Sequence, residues 1–165
     1  MNKFRKFNYR IILEWLAQKP GNEILKFICL WIVLNHWYKF QYEKNKYGLS
    51  DRKCLERIKK NYQIFNRLLN NQNLPRDLEE NLVLASKLAG KLKFKNVPLT
   101  FFGSRIEQNQ QNYESIMELL YEVRRRIFHG DISIENKNIQ KLSSCLNSFM
   151  EYFIGSVILD LRYTR

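Results

Sequence analysis

The sequence is poor in cysteine and histidine. Its three cysteines, Cys29, Cys54 and Cys145, lie far apart, and no two of them are spaced as C-x-x-C. Because the only histidines are His36 and His129, a structural zinc site would need scattered ligands, and we expect no metal. Isolated thiols in apolar stretches behave as small hydrophobic side chains, so the cysteines indicate a reduced, cytoplasmic setting.

No apolar run is long enough to cross a membrane. The most apolar run, residues 27–34, is bounded by Lys26 on one side and by Asn35 and His36 on the other. It falls far short of the roughly 20 residues that span a bilayer. The N-terminus is basic, but no small-residue cleavage site follows an apolar core, as a secretory signal requires. We therefore predict a soluble protein that is neither exported nor bound to a membrane.

Acidic residues are too few to balance the basic ones. The chain has 28 Lys and Arg against 16 Asp and Glu, a formal net charge of +12. An excess of this size attracts polyanions through a long-range field that salt weakens, so nucleic acid is the first partner to consider. A solvated lysine-rich surface explains the charge equally well.

Glycine and proline are also few, and they divide the chain into helix-sized pieces. At 165 residues the chain fits one domain, residues 1–165, that can bury a core without staples. Apolar spacings of three and four residues predict six helices, over residues 9–18, 22–44, 50–70, 76–88, 112–128 and 136–157. Asn22, Ser50 and Asn136 stand where an N-cap is needed, and Gly130 stands where a helix must end.

Patterns typical of strands are absent. Residues 91–111 carry mixed signals with Pro98 and Gly103, and we predict a loop-rich insertion there. The fold class that follows is all-α, an antiparallel bundle of four to six helices with the segment 27–34 at its centre.

One arginine lies on an apolar helical stripe. Arg124 follows Leu120 by four residues and Met117 by seven, so its guanidinium must lie in or beside the core. Such a charge needs hydrogen-bond partners or an anion, because an unpaired buried charge costs several kcal/mol. His129 follows five positions later, a rotation of about 140° on a helix. The two side chains therefore diverge unless the helix end unwinds or a second subunit supplies the partner.

This pair suits RNA cleavage without metal. An imidazole moves protons near pH 7, here those of a ribose 2′-hydroxyl or of the leaving 5′-oxygen, and an arginine stabilises the charged phosphorus transition state. The alternative is structural. Arg124 would pair with a carboxylate, and His129 would only cap the C-terminus of its helix.

Two segments resemble a known family. Residues 121–130 read YEVRRRIFHG, and this string resembles the signature of the HEPN superfamily: a large residue, Val-Arg, two variable residues, an apolar pair and His-Gly. Residues 26–38 read KFICLWIVLNHWY, which is similar to the apolar helix with a Leu-Trp-Ile core, an Asn and a Tyr that accompanies that motif.

The resemblance implies an all-helical bundle that dimerises through the motif helices. Two Arg and two His then surround one cleft that cuts single-stranded RNA without metal or other cofactor. By this resemblance Arg124 is the transition-state stabiliser and His129 the general acid and base. Many relatives act as toxins or in phage defence, so an antitoxin or effector protein is a possible partner beside RNA and a second copy.

The chain departs from the family at two positions. Arg125 stands where active members usually have a small polar residue or histidine, and its charge either aids phosphate binding or disturbs the geometry. Asp131 stands where a subset of toxins has a tyrosine that a nucleotidyltransferase antitoxin modifies, so that mode of neutralisation has no target here.

The sequence gives weaker indications of function for the other residues in and near the motif. Arg125 and Arg126 are predicted RNA phosphate contacts, with solvated charges at a helix end as the alternative. Asn35 either orients the active-site pair or satisfies a neighbouring backbone group, and we favour the second; His36 is similar. Asp131 is a possible partner that holds Arg125 in place.

Three hypotheses stay open. The first is a homodimeric endoribonuclease, probed by loss of cleavage when Arg124 or His129 is replaced. The second is a catalytically inactive HEPN module that binds RNA or a protein partner through the same basic cleft. The third is a purely structural helical subunit, which predicts weak or salt-insensitive RNA binding. Trp31 and Trp37 are predicted to pack in the core or at a dimer interface rather than to stack on bases.

Overall fold

The computed structural model describes residues 17, 21–42, 50–61, 63, 74–94 and 99–159, and these are mostly helical. This confirms the all-α class. Of the helix predicted over residues 9–18, residue 17 is described and forms part of a turn, and the other residues of the prediction lie outside the described ones. Five α-helices and one π-helical segment, Ile154–Leu159, are described, and the α-helices are α1 (Glu23–Tyr42), α2 (Asp51–Lys60), α3 (Arg76–Lys91), α4 (Gln110–Phe128) and α5 (Lys137–Phe153).

Three helices begin at the predicted capping residues. The side-chain oxygen of Asn22 accepts from two backbone amides at the start of α1, at 2.9 and 3.0 Å. Ser50 caps α2 and Asn136 caps α5 in the same way. Each cap satisfies amides that have no partner within their own helix, so these helix starts follow from local chemistry.

The predicted helix over residues 50–70 is interrupted. It ends at Lys60 because Asn61 leaves the helical conformation, with ψ at 75°. The helix was predicted from the apolar spacing of Leu55, Ile58, Tyr62, Phe65 and Leu69, and of these Leu55 and Ile58 are buried. Tyr62, Phe65 and Leu69 lie outside the described residues.

The core is built around α5 rather than around α1 alone. The apolar residues whose spacing predicted α5 are buried along the α-helix, and α5 packs extensively against both α1 and α3. These buried residues are Ile139, Leu142, Leu146, Phe149 and Phe153. We expected the segment 27–34 at the centre, but α1 shares this place with α5. The buried side chains of α1 are Ile24, Phe27, Leu30, Trp31, Val33, Leu34, Trp37 and Tyr38.

The predicted loop between α3 and α4 contains a short hairpin, which the sequence did not predict. Strands β1 (Phe101–Phe102) and β2 (Arg105–Ile106) pair antiparallel across Gly103, which has a φ of +62°. Helix α4 begins at Gln110, two residues before the predicted start, and Asn109 is its N-cap. Asn112 is fully buried, and its amide exchanges hydrogen bonds with the backbone of Thr100, both at 2.8 Å.

Helix α2 runs antiparallel to α4. Its first residue, Asp51, contacts Arg124 near the end of α4. Near the other end of α2, the carbonyl of Ile58 accepts a hydrogen bond from the hydroxyl of Tyr113, in the first turn of α4, at 3.0 Å. Between these contacts lies an ion-pair cluster around Glu118. This arrangement brings the start of α2 to the motif.

Among the described residues, no helix combines the length and apolar character needed to cross a bilayer. The three cysteines are free thiols, and Cys54 and Cys145 are buried.

Candidate functional site

The motif occupies the last turn of α4 and the residues that end it. Gly130 has a φ of +71°, and its amide donates to the carbonyl of Ile127 at 3.3 Å. The amide of Asp131 donates to the carbonyl of Arg126 at 3.0 Å. This pattern is a Schellman motif, which needs a residue in the left-handed conformation directly after the C-cap. The predicted role of Gly130 as helix terminator is confirmed, and it fixes His129 as the C-cap.

Arg124 lies beside the core, as its position on the apolar stripe predicted. Its side chain is 22 % exposed, and its Nη2 atom lies 3.1 Å from Oδ2 of Asp51. Its Cζ atom lies 4.9 Å from the centroid of the Phe128 ring. The carboxylate partner that the structural alternative required is therefore present, and it comes from the first turn of α2.

Asp51 binds a second cation. Its Oδ1 atom lies 2.9 Å from Nζ of Lys39 on α1, so one carboxylate joins three helices at this point. The first turn of a helix favours a negative charge, and the cap of Ser50 holds that turn in place. Neither Asp51 nor Lys39 could be predicted as part of this site, because neither belongs to the motif and nothing local in the sequence links them to Arg124.

Several polar atoms near this junction are buried without a partner among the described residues. These atoms are Nε of Arg124, Oδ1 of Asn35 and the hydroxyl of Tyr38. Asn35, Tyr38 and Lys39 share one face of α1, since three or four residues separate neighbours on a helical face. Burial raises the pKa of Tyr38, and the charge of Asp51 raises it further.

Among the described residues, the predicted contact of Asn35 with a neighbouring backbone group is not made through its side-chain oxygen. We expected it to satisfy a neighbouring backbone group, but Oδ1 accepts no hydrogen bond within the described part of the chain. Its second predicted role, orienting the active-site pair, stays a prediction. His36, the next residue, is half-buried, and burial lowers its pKa.

His129 is exposed at the end of α4. Its backbone amide donates to the carbonyl of Arg125 at 3.0 Å. Its imidazole has no hydrogen bond or ion pair with the described residues, and the hydrogen bond of Arg124 goes to Asp51 rather than to His129. One chain thus presents a half-buried arginine that pairs with Asp51 and an exposed imidazole at the end of the same helix.

No family model, curated protein or solved structure matches this chain. The resemblance to the HEPN signature thus rests on the two segments quoted for it. What the site can do chemically follows from its own side chains.

Arg125 is held by two carboxylates. Its Nη2 atom lies 3.2 Å from Glu122, and its Nη1 atom lies 3.3 Å from Asp131. The predicted contact between Arg125 and Asp131 is present. Arg125 stands at a position where the chain departs from the HEPN signature. Its positive charge is largely compensated, because Glu122 on α4 and Asp131 directly after Gly130 both pair with it.

Arg126 points to the end of α3. It donates to the carbonyls of Leu92 and Lys93, each at 3.0 Å, and its Cζ atom lies 4.0 Å from the centroid of the Phe94 ring. Lys93 has a φ of +54°, the left-handed region that non-glycine residues rarely adopt. Arg126 therefore binds other residues of the same chain. We had predicted an RNA phosphate contact or a solvated charge, and neither prediction included these partners.

Trp31 and Trp37 of α1 pack in the core, as predicted. Trp31 and Trp37 are 1 % and 2 % exposed. Trp37 packs edge-on against Phe153, with ring centroids 5.7 Å apart. Trp31 packs against Tyr38 and also against Tyr121, the first residue of the motif. The two motif-like segments thus contact each other in this fold.

Glu118 is the acidic centre between α2 and α4. Arg52 and Lys59 both donate to its carboxylate. Burial alone would raise the pKa of Glu118, but these hydrogen bonds and the two positive charges outweigh it, so the pKa lies below its usual value. In addition, the guanidinium of Arg52 lies over the ring of Tyr121. These contacts hold α2, and with it Asp51, against the motif helix.

Possible metal ligands are dispersed in the described ranges. They contain no group of three or more His, Cys, Asp or Glu side chains arranged to hold an ion. The polar groups that converge on the motif are instead cations and carboxylates, with one exposed imidazole beside them.

Proposed function

We propose that this protein is a metal-independent endoribonuclease of HEPN type that cuts single-stranded RNA. The observation that carries the proposal is the ion pairing of Arg124 together with the exposure of His129. Arg124 is anchored by a single ion pair, which leaves other N–H groups of its guanidinium for an anion. His129 is exposed on the same helix end.

In the proposed reaction His129 moves protons. As a base, an imidazole takes the proton of the ribose 2′-hydroxyl, and the resulting oxygen attacks the adjacent phosphorus. The bond to the 5′-oxygen breaks, and that oxygen receives a proton from an imidazolium. The products are a 2′,3′-cyclic phosphate and a free 5′-hydroxyl. Arg124 stabilises the extra negative charge on the phosphoryl oxygens in the transition state.

Two copies of the chain supply the site in this proposal. Within one chain Arg124 pairs with Asp51 rather than with His129, and in this proposal a second motif helix places an imidazole beside the guanidinium. Phe128, between them in sequence, is 50 % exposed and offers an apolar surface for such a contact. Two imidazoles in one cleft also allow one to act as base while the other acts as acid.

The net charge of +12 supports RNA as the substrate. By resemblance to toxin and phage-defence relatives, we further propose a cytoplasmic protein whose activity a partner protein restrains. The compensation of Arg125 by Glu122 and Asp131 supports an active site, because it keeps the extra charge away from Arg124.

The second candidate is a catalytically inactive module that binds RNA or a protein. The observation in its favour is that all three motif arginines have partners within the chain. Such a module keeps the charge and the fold, but replacing His129 or Arg124 changes no catalytic rate.

The test is cleavage of a mixed single-stranded RNA in EDTA. We expect wild type to cut and His129→Ala and Arg124→Ala to lose at least about 100-fold in rate, the usual contribution of a proton-transferring or charge-stabilising group. Arg76→Ala is the matched control, because it also removes one positive charge, from a side chain that is 81 % exposed and pairs only with Glu80 among the described residues.

Folding and dimerisation of each variant are checked first. Cyclic-phosphate ends that depend on both motif residues support the proposal. Absence of cutting by wild type, or equal rates for wild type and folded His129→Ala, would remove it in favour of the binding module.

A further inference from the structure

We infer that Asp51 is a positioning residue for Arg124, and that Lys39, its second partner, is a phosphate contact of the same site. The inference rests on the proposed function and adds two residues to the site from outside the motif. Both belong to helices other than α4, so the site is built where α1, α2 and α4 meet.

The contacts of Asp51 fix the orientation of the guanidinium. Its two oxygens are used separately, Oδ2 for Nη2 of Arg124 at 3.1 Å and Oδ1 for Nζ of Lys39 at 2.9 Å. Arg124 therefore has one charged anchor, and the Phe128 ring covers one side of it. Its Nε is buried and has no partner among the described residues. A guanidinium held at one nitrogen can still present other N–H groups to a phosphate.

The charges at this junction do not balance. Two cations, Lys39 and Arg124, share one carboxylate, which leaves one positive charge. Arg124 and Asp51 are mostly covered, at 22 % and 20 % exposure, whereas Lys39 is 39 % exposed. An anion that approaches from solvent thus meets Lys39 first. A singly charged phosphodiester is the anion that completes this charge balance, and it belongs to the RNA backbone.

Asp51 itself is held in place. Its helix is capped by Ser50 and is tied to α4 through Glu118, which accepts from Arg52 and Lys59. A carboxylate on a fixed helix start positions a side chain more accurately than one on a loop, and a misplacement of about 1 Å at a reacting centre can cost about 100-fold in rate.

A purely structural ion pair predicts different behaviour. In that case, loss of Asp51 lowers stability only, and the folded variant cleaves RNA at the wild-type rate. A positioning role predicts that kcat falls while RNA binding is maintained or becomes tighter, because a negative charge has been removed beside the phosphate. The separation of kcat from RNA affinity distinguishes the two.

The experiment compares Asp51→Asn and Asp51→Glu with wild type, in steady-state cleavage assays at saturating RNA and in RNA-binding titrations at several salt concentrations. We expect kcat to fall about 100-fold in Asp51→Asn and by a smaller factor in Asp51→Glu, which keeps the charge. Glu56→Gln is the matched control on the same helix. It removes an exposed carboxylate that pairs with Arg52 and Lys59, and its kcat is expected to equal that of wild type.

Lys39→Met tests whether Lys39 contacts an RNA phosphate. Its RNA affinity should fall, and the slope of log affinity against log salt should decrease by about 1, as expected for one lost phosphate contact. An unchanged slope overturns the role of Lys39.

Folded Asp51→Asn that cleaves at the wild-type rate overturns the positioning role. If Asp51→Asn does not fold, cleavage at the wild-type rate by Asp51→Glu overturns the positioning role instead. A wild-type protein that does not cleave at all is a different result, because it overturns the proposed function itself.

Discussion

The guanidinium of Arg126 lies over the ring of Phe94, with Cζ 4.0 Å from the ring centroid. Its nitrogens also donate to two carbonyls directly after α3. Arg126 therefore closes the end of one helix while it belongs to the last turn of another. Of the three consecutive arginines, only Arg124 points to Asp51, and each of the three has a different set of partners.

Arg126→Ala is expected to lower the free energy of unfolding by about 2 kcal/mol, because it removes two charge-assisted hydrogen bonds and a cation–π contact. Chemical denaturation measures the effect. Arg76→Ala, which breaks an exposed pair with Glu80, is the control and should change stability by less than about 1 kcal/mol. Equal losses in both variants would contradict a structural role for Arg126.

Lys93→Gly is expected to raise stability by about 1 kcal/mol. Lys93 has a φ of +54°, where a side chain causes strain that glycine avoids. The gain should appear as a higher denaturation midpoint with an unchanged slope against denaturant. A lower midpoint would show that contacts of the Lys93 side chain outweigh the backbone strain.

Gly130→Ala is expected to lower stability by about 1 kcal/mol and, under the proposed function, to reduce RNA cleavage, since the strain falls on the residue after His129. An added Cβ meets no atom within 4 Å, so the cost comes from the φ of +71° alone. Gly90→Ala is the control. It also has free space but lies inside α3, where alanine is preferred, and it should raise stability by about 0.5–1 kcal/mol.

Glu118 is expected to make stability depend on pH in the acid range. Its pKa in the folded protein lies below the ordinary value of 4.5. Because the folded state favours the carboxylate, the contribution is complete above the ordinary pKa and is lost as pH falls through the lower folded value. Glu118→Gln should therefore cost about 2 kcal/mol near pH 7 and less near pH 3.

The measurement is urea denaturation of wild type and Glu118→Gln across this pH range. Glu80→Gln is the comparison, because Glu80 is 71 % exposed and its pair with Arg76 should contribute little at any pH. A difference between wild type and Glu118→Gln that does not change with pH would count against the assigned role.

The sequence predicted the features that short-range chemistry controls. The caps at Asn22, Ser50 and Asn136 and the left-handed Gly130 each depend on residues within one turn, and all four are present. The position of Arg124 beside the core also followed from helical spacing. These predictions needed no knowledge of how the helices pack.

Features that depend on distant residues were not predicted. Asp51 and Arg124 are 73 positions apart, and no spacing rule connects them. The break at Asn61 was hidden because apolar residues continue at helical spacing on both sides of it. The hairpin was missed because each of its strands has only two residues, too few to show an alternating pattern. Arg126 looked like a surface charge because its acceptors are backbone carbonyls, which no side-chain pattern reveals.

The shielding of the native thiols has a practical consequence. Cys54 and Cys145 are buried, and burial raises the pKa of both Cys29 and Cys145, so these thiols should react slowly with labelling reagents. A cysteine introduced at Ile134, whose side chain is 56 % exposed near the end of the motif helix, should react first. A nitroxide label attached there would then act as a molecular ruler, because the distance between two such labels would report how closely the motif helices approach in the proposed dimer.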